Sequence, residues 1–216
     1  MTFDPQDLKK SIIESLGRIT PVNIEDIPDM SLYMDQVTTF LDKYMEHTKR
    51  YESDKVLTKT MINNYAKNDL LPPPVRKKYS KDHLILLIFI YYYKSILSIS
   101  DIQTLIEPLK KRFHVSDDEF NLSEIYETAY ELQNEELEPL MEDLKKKYAR
   151  ALETYKDADI SEEERKRMQM FSFITLLSYD VYVKKLLIEK ILDNVVADDS
   201  EKNGKKDKIK DKKNRK

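Results

Sequence analysis

Two short stretches hold the side chains best suited to chemistry. Lys59, Asn63, Asn64 and Lys67 recur at three- and four-residue spacing, which sets them along one side of an α-helix. Asn can pair bidentately with the major-groove edge of adenine, and Lys can meet phosphate. Arg76-Lys77-Lys78, followed by Tyr79, forms a basic cluster just after the stiff run Pro72-Pro73-Pro74. The competing reading of the first group is an ordinary solvated helix face. What weighs against it is the company it keeps, a polar helix running into a rigid turn and then into cations.

Catalytic chemistry is poorly provided for. His47, His83 and His114 are scattered, and there is no His-Glu-x-x-His, phosphate-cradling glycine loop or Gly-x-Ser-x-Gly. Glu131, Glu135, Glu138 and Glu142 invite a carboxylate metal site. A helical di-metal centre needs Glu-x-x-His pairs on facing helices, however, and none occurs. A solvated acidic face is the better reading. Cysteine is absent, which removes disulfides and thiolate ligands and suits a reducing compartment. The chain is expected to be a non-enzyme without metal or cofactor. No signal peptide is recognisable and no apolar run approaches the roughly 18 residues of a membrane span. A cytoplasmic protein with no membrane contact is expected.

The elements that must position these groups are helical. Two glycines and 36% charged residues disfavour a β sandwich, whose turns need glycine. Residues 84–93 are ten consecutive apolar or aromatic residues. A helix apolar all round is buried on all sides or lies in lipid, and this one spans about 15 Å, half a bilayer core. It is expected to be the central helix of the core, capped by Ser80, with His83 at the surface of its first turn. Successive helical residues point about 100° apart, so Tyr91-Tyr92-Tyr93 cannot form one stacking platform and should be core residues with hydroxyls near the surface.

Around it the spacing predicts further helices. Asp4-Pro5 opens an amphipathic helix with Leu8, Ile12, Leu16 and Ile19 on one face, and 21–28 reads as a linker. A helix over 31–48 is capped by Ser31 and carries Val37, Phe40, Leu41 and Tyr44. Thr58 or Thr60 caps the helix 58–68, whose inner face is Met61, Ile62, Tyr65 and Ala66. Ser98 with Asp101 forms a capping box for the next helix, and 116–119 forms another before one long acidic helix, or two, to about residue 156. Ser161 opens a last helix to about 196, apolar enough for a core or dimer stripe. Residues after 199 are lysine-rich without an apolar stripe and are expected to be disordered.

Charge is strongly polarised beneath a net value of −3. Residues 43–81 hold ten Lys and Arg against four Asp and Glu, residues 101–165 nine against nineteen, and residues 202–216 nine against two. A basic face beside the central helix suits phosphate, while the acidic region repels it.

The run MINNYAKNDLLPPP, then KKYSKDHLILLIFIYYYKSILSISDIQTLI, resembles the DNA reader of MerR-type regulators, over about a quarter of the chain. That family has a recognition helix, a Leu-Leu-Pro-Pro turn, a basic wing, a Tyr-Ser step, an apolar helix and a Ser-initiated helix. The run is also similar to an uncharacterised bacterial family, a domain of unknown function, that carries such a reader. Here Asp69 stands where the regulators usually carry Gly before the leucines, with Asn68 available for the left-handed turn. The wing is shorter, and the link before Thr58 is longer than a helix-turn-helix turn.

The resemblance implies an all-α fold: a MerR-like winged helix-turn-helix module with a short wing, plus a C-terminal helical region. Its divisions are 1–30, an amphipathic helix and linker; 31–113, the DNA-reading module; 114–199, a helical dimerisation or effector region; and 200–216, a basic tail. It implies a transcriptional regulator that binds double-stranded DNA, as a homodimer, with an unknown effector. Lys59, Asn63, Asn64 and Lys67 would face the major groove, and Arg76, Lys77, Lys78 and Tyr79 the phosphate backbone. The alternative is a helical protein–protein adaptor that has lost DNA binding.

Overall fold

The computed structural model describes the backbone of residues 10, 11, 14, 21–115 and 119–213, and the side chains among these up to residue 196. In chain order the elements are β1 (Leu32–Tyr33), α1 (Met34–Tyr44), α2 (Lys59–Lys67), β2 (Lys78–Tyr79), α3 (Lys81–Tyr93), α4 (Ile99–Lys110), α5 (Leu122–Leu152) and α6 (Glu162–Lys213). Single 3₁₀ turns lie at Ile24–Asp26 and Glu46–Thr48. The fold is all-α, and the one small sheet among the described residues pairs β1 with β2 antiparallel, Leu32 opposite Tyr79 and Tyr33 opposite Lys78.

α3 lies at the centre, as its composition requires. Every residue from His83 to Ile90 is buried, because apolar side chains occupy each face and every face needs a neighbour. Leu41 of α1, Ile62 of α2, Ile102 and Ile106 of α4 and Leu122 of α5 share its core. α6 adds Leu192 to the same cluster. The Tyr126 hydroxyl on α5 donates to Val22 O at 2.6 Å, in a buried hydrogen bond that ties the segment before β1 to the second half of the chain. The core therefore draws on both sides of the boundaries expected near residues 30 and 113.

The caps of the central helices are those the residue types favour. Thr58 Oγ1 accepts the Met61 N–H at 3.2 Å. Ser98 and Asp101 form a reciprocal box, Asp101 N–H to Ser98 Oγ at 3.2 Å and Ser98 N–H to Asp101 Oδ2 at 3.3 Å. Two starts differ from expectation. Ser31 caps nothing, because Leu32 and Tyr33 are drawn into the sheet and α1 begins at Met34, with the Tyr33 N–H donating to Gln36 Oε1 at 2.8 Å. α5 begins at Leu122, where Asn121 Oδ1 accepts from the Ser123 and Glu124 N–H groups.

α5 is continuous through Pro139. It pairs with α6 through a second small core of Tyr148, Ala151 and Phe173, and through an ion pair of Lys147 with Asp180. Gln169 Nε2 donates to Leu152 O at 2.8 Å and closes the hairpin between them. α6 runs on to Lys213, past the residue at which disorder is expected. The amphipathic helix expected from Asp4 to about Gly17 lies outside the described residues except for Lys10, Ser11 and Glu14, which are helical. Residues 116–118 of the expected capping box also lie outside them. Among the described residues no helix is long and apolar enough to cross a membrane.

Candidate nucleic-acid interface

α2 turns Ile62 and Tyr65 into the core and leaves Lys59, Asn63, Asn64 and Lys67 exposed. The pattern follows from the 3.6-residue period, which separates the apolar and polar side chains of this helix onto opposite faces. Its C-terminal end is shaped by Asp69, which takes a left-handed φ of 55°. The Leu70 N–H then reaches Tyr65 O at 2.9 Å, the six-to-one bond of a Schellman motif, with Tyr65 and Leu70 as its buried pair. Asp69, not Asn68, is thus the left-handed residue. Lys110 Nζ, at the end of α4, holds it through both Asp69 O and Asp69 Oδ2, each at 3.0 Å.

The three prolines lead into a hairpin of minimum size. Val75 and Lys78 exchange two backbone hydrogen bonds, at 3.1 and 2.9 Å. Between them Arg76 and Lys77 have φ of 51° and 65°. Positive φ at both central positions defines a type I′ turn, for which Asn-Gly is the favoured pair. Here two long cations occupy it, each in a conformation that costs an L-residue about 1 kcal/mol or more. Both side chains stand at the exposed tip. The wing is thus a tight turn closed by a single bridge, and β2 pairs on its other side with β1.

That pairing brings the wing and α2 together. Lys78 Nζ lies 5.1 Å from the ring centroid of Tyr33, while Lys59 pairs with the carboxylate of Asp35. Tyr33 and Asp35 are two residues apart at the start of α1. The N-terminal end of α2 and the base of the wing therefore meet one short segment, and five cations (Lys59, Lys67, Arg76, Lys77 and Lys78) belong to two elements with a shared footing.

Tyr79 does not belong to this surface. It is 3% exposed, because its position opposite Leu32 points it into the core. Burial raises its hydroxyl pKa, and its ring meets His83 edge-on at 5.3 Å. His83 likewise corrects the expectation of a surface histidine, being 1% exposed. The Ser80 N–H donates to His83 Nδ1 at 3.0 Å, so the neutral ring carries its proton on Nε2. Nε2 faces the carbonyls of Pro72 and Pro73 without a well-formed hydrogen bond to either. Burial, with the nearby His114 adding to it, pushes the His83 pKa down to about 4 against these carbonyls. The ring wedges the joint between α2 and the wing, and its one sequence signal is its place three residues after a capping serine.

The link from α1 to α2 is also held rather than loose. Asp42 binds Lys49 at 3.1 Å and Lys55 at 3.8 Å, and accepts the Val56 N–H at 3.3 Å. Val56 and Leu57 are buried beside it. Among the described residues no group of three or more His, Asp or Glu side chains is gathered as a metal ion would require.

A family model described as a domain of unknown function (DUF1836) matches residues 22–129. No curated protein and no solved structure matches the chain. The matched span takes in most of the main core, which begins at Val22 and includes Leu122, Tyr126 and Ala129 from the first turns of α5, while Ile188 and Leu192 of α6 lie outside it. The family's unit is thus the cluster built around α3, together with the wing and helix it displays, and the chain belongs to the DUF1836 family.

Proposed function

We propose that this protein is a DNA-binding regulator of transcription of the MerR-like kind, located in the cytoplasm. α2 enters the major groove, where Asn63 and Asn64 meet base edges and Lys59 and Lys67 meet phosphate. Arg76, Lys77 and Lys78 clamp the adjoining backbone. The observation that carries this reading is the hairpin tip: a turn that favours small residues holds two cations, at a backbone cost that their display to solvent would explain. The shared footing of wing and helix on Tyr33 and Asp35 supports it.

The active form is a homodimer through α6. Phe171, Ile174, Val181, Leu186, Leu187 and Ile191 are all exposed on that helix, and a helix apolar around most of its circumference is stable when buried. The same feature favours the second reading, an adaptor that meets another protein.

The test is binding of the full chain to random duplex DNA across a salt series, beside a variant with Arg76, Lys77 and Lys78 all changed to Ala. The tail is common to both proteins, so the difference reports the wing. Affinity should fall steeply with salt, and the variant should lose up to three phosphates' worth of slope, about 0.9 each. Equal slopes would remove the wing from the interface. No binding even at low salt would favour the adaptor.

A further inference from the structure

A cavity of about 480 Å³ opens where the α1–α2 link crosses the C-terminal end of α3. Its walls include Lys49, Arg50 and Lys55 from the link, Tyr91 and Tyr92 from α3, and Lys94, which caps that helix. The volume lies in the usual range for small-molecule sites, about 300–1,000 Å³. α3 is 13 residues long, so this end lies about 20 Å from the end that abuts the wing.

The electrostatics are unbalanced. Lys49 and Lys55 share Asp42 behind them, and Asp54 is the one carboxylate in the lining. Four cations against these two acids leave two positive charges. Lys94 is half-buried, donates to Val56 O at 3.0 Å, and lies 4.4 Å from the Tyr91 ring centroid. Burial lowers its pKa, as expected for an ammonium removed from water without a counter-ion. Arg50 rests over the Tyr51 ring at 5.3 Å. Among the described residues no carboxylate lies within ion-pair distance of Lys94 or Arg50. The carbonyl end of α3 disfavours an anion, so these cations must outweigh it.

We propose that this cavity binds a small organic phosphate, with its phosphate reached by Arg50 and Lys94 and its organic part lying against the Tyr91 ring, which Tyr92 meets edge-on at 5.7 Å. A phosphate monoester carries close to two negative charges at neutral pH, which matches the surplus; a single carboxylate leaves one cation unpaired. Tyrosine rings accept a planar group by stacking. The ligand's seat includes the link that leads directly into α2, so occupancy stiffens the approach to that helix. The binding itself does not depend on whether α2 reads DNA.

The experiment is titration calorimetry on the full chain in a phosphate-free buffer, with adenosine monophosphate, ribose 5-phosphate, inorganic phosphate and adenosine as probes. Adenosine monophosphate should bind with one site per chain, and adenosine should bind at least about tenfold more weakly for want of the charge-assisted contacts. Arg50→Ala, at an exposed side chain that leaves the core intact, should weaken adenosine monophosphate about tenfold, and Lys94→Met by as much or more. Lys190→Ala on α6, a change of equal charge elsewhere, should leave it unaltered. Inorganic phosphate binding as tightly as the esters would show an anion site without an organic subsite and overturn the proposal. So would equal binding of adenosine and its phosphate, no heat from any ester at millimolar concentration, or indifference to Arg50→Ala.

Discussion

Replacing the wing tip by the pair its turn prefers separates stability from binding. In the double variant Arg76→Asn, Lys77→Gly the type I′ turn is kept, since Asn and Gly favour positive φ at these positions. Each present residue, at φ of 51° and 65°, costs about 1–2 kcal/mol in the left-handed region. Glycine returns part of that gain, about 0.5–1 kcal/mol, through the extra freedom of the unfolded chain. Asparagine, as an L-residue, keeps part of the left-handed cost, so the net is a stabilisation of about 1 kcal/mol. With a urea slope of about 2 kcal/mol/M for a chain of this size, the unfolding midpoint should rise by about 0.5 M at constant slope. The same change removes two cations, so the dependence of log affinity for DNA on log salt should flatten by up to about 1.8. Urea unfolding and fluorescence anisotropy read the two effects independently. An unchanged or lower midpoint would refute the strain at the tip. An unchanged salt slope would refute its contact with phosphate even if the midpoint rose.

Three further outcomes follow from named contacts. His83 has a folded pKa of about 4 against an ordinary 6.5, so the unfolded chain binds more protons between these values. Stability should be full above pH 6.5, fall by up to about 3 kcal/mol as pH drops to 4, and be flattened in His83→Gln; an equally steep loss in that variant would exonerate the ring. Burial opposes the charge on Asp42, but Lys49, the Val56 N–H and Lys55 outweigh it and hold its carboxyl below the ordinary value. Asp42→Ala should destabilise by about 1–2 kcal/mol and speed hydrogen exchange at the Val56 amide, and unchanged exchange would mean the link is held by Val56 and Leu57 alone. Leu187→Asp, at a side chain 58% exposed on α6, should convert a dimer to a monomer in sedimentation equilibrium without altering the helical content. A wild-type monomer at high concentration would leave the homodimer without support.

What could be read from residue order alone was local. Ten apolar residues in a row required a buried central helix, and α3 is one. Thr58, Ser98 and Asp101 form the caps their types favour, and the polar face of α2 follows from helical spacing, because caps and faces depend on residues three or four apart. Tertiary structure decided what distant residues do to one another. Leu32 and Tyr33 match a helical pattern but become a strand because Lys78 and Tyr79 lie beside them. That pairing buries Tyr79, and the chain's return through the prolines encloses His83. Asp69 accepts a left-handed backbone because Lys110, from another helix, holds it. The cavity at the end of α3 exists because the long link folds back over Lys94. Local periodicity carries no record of these approaches, since their energy comes from burial and pairing between segments that meet only once the core has formed.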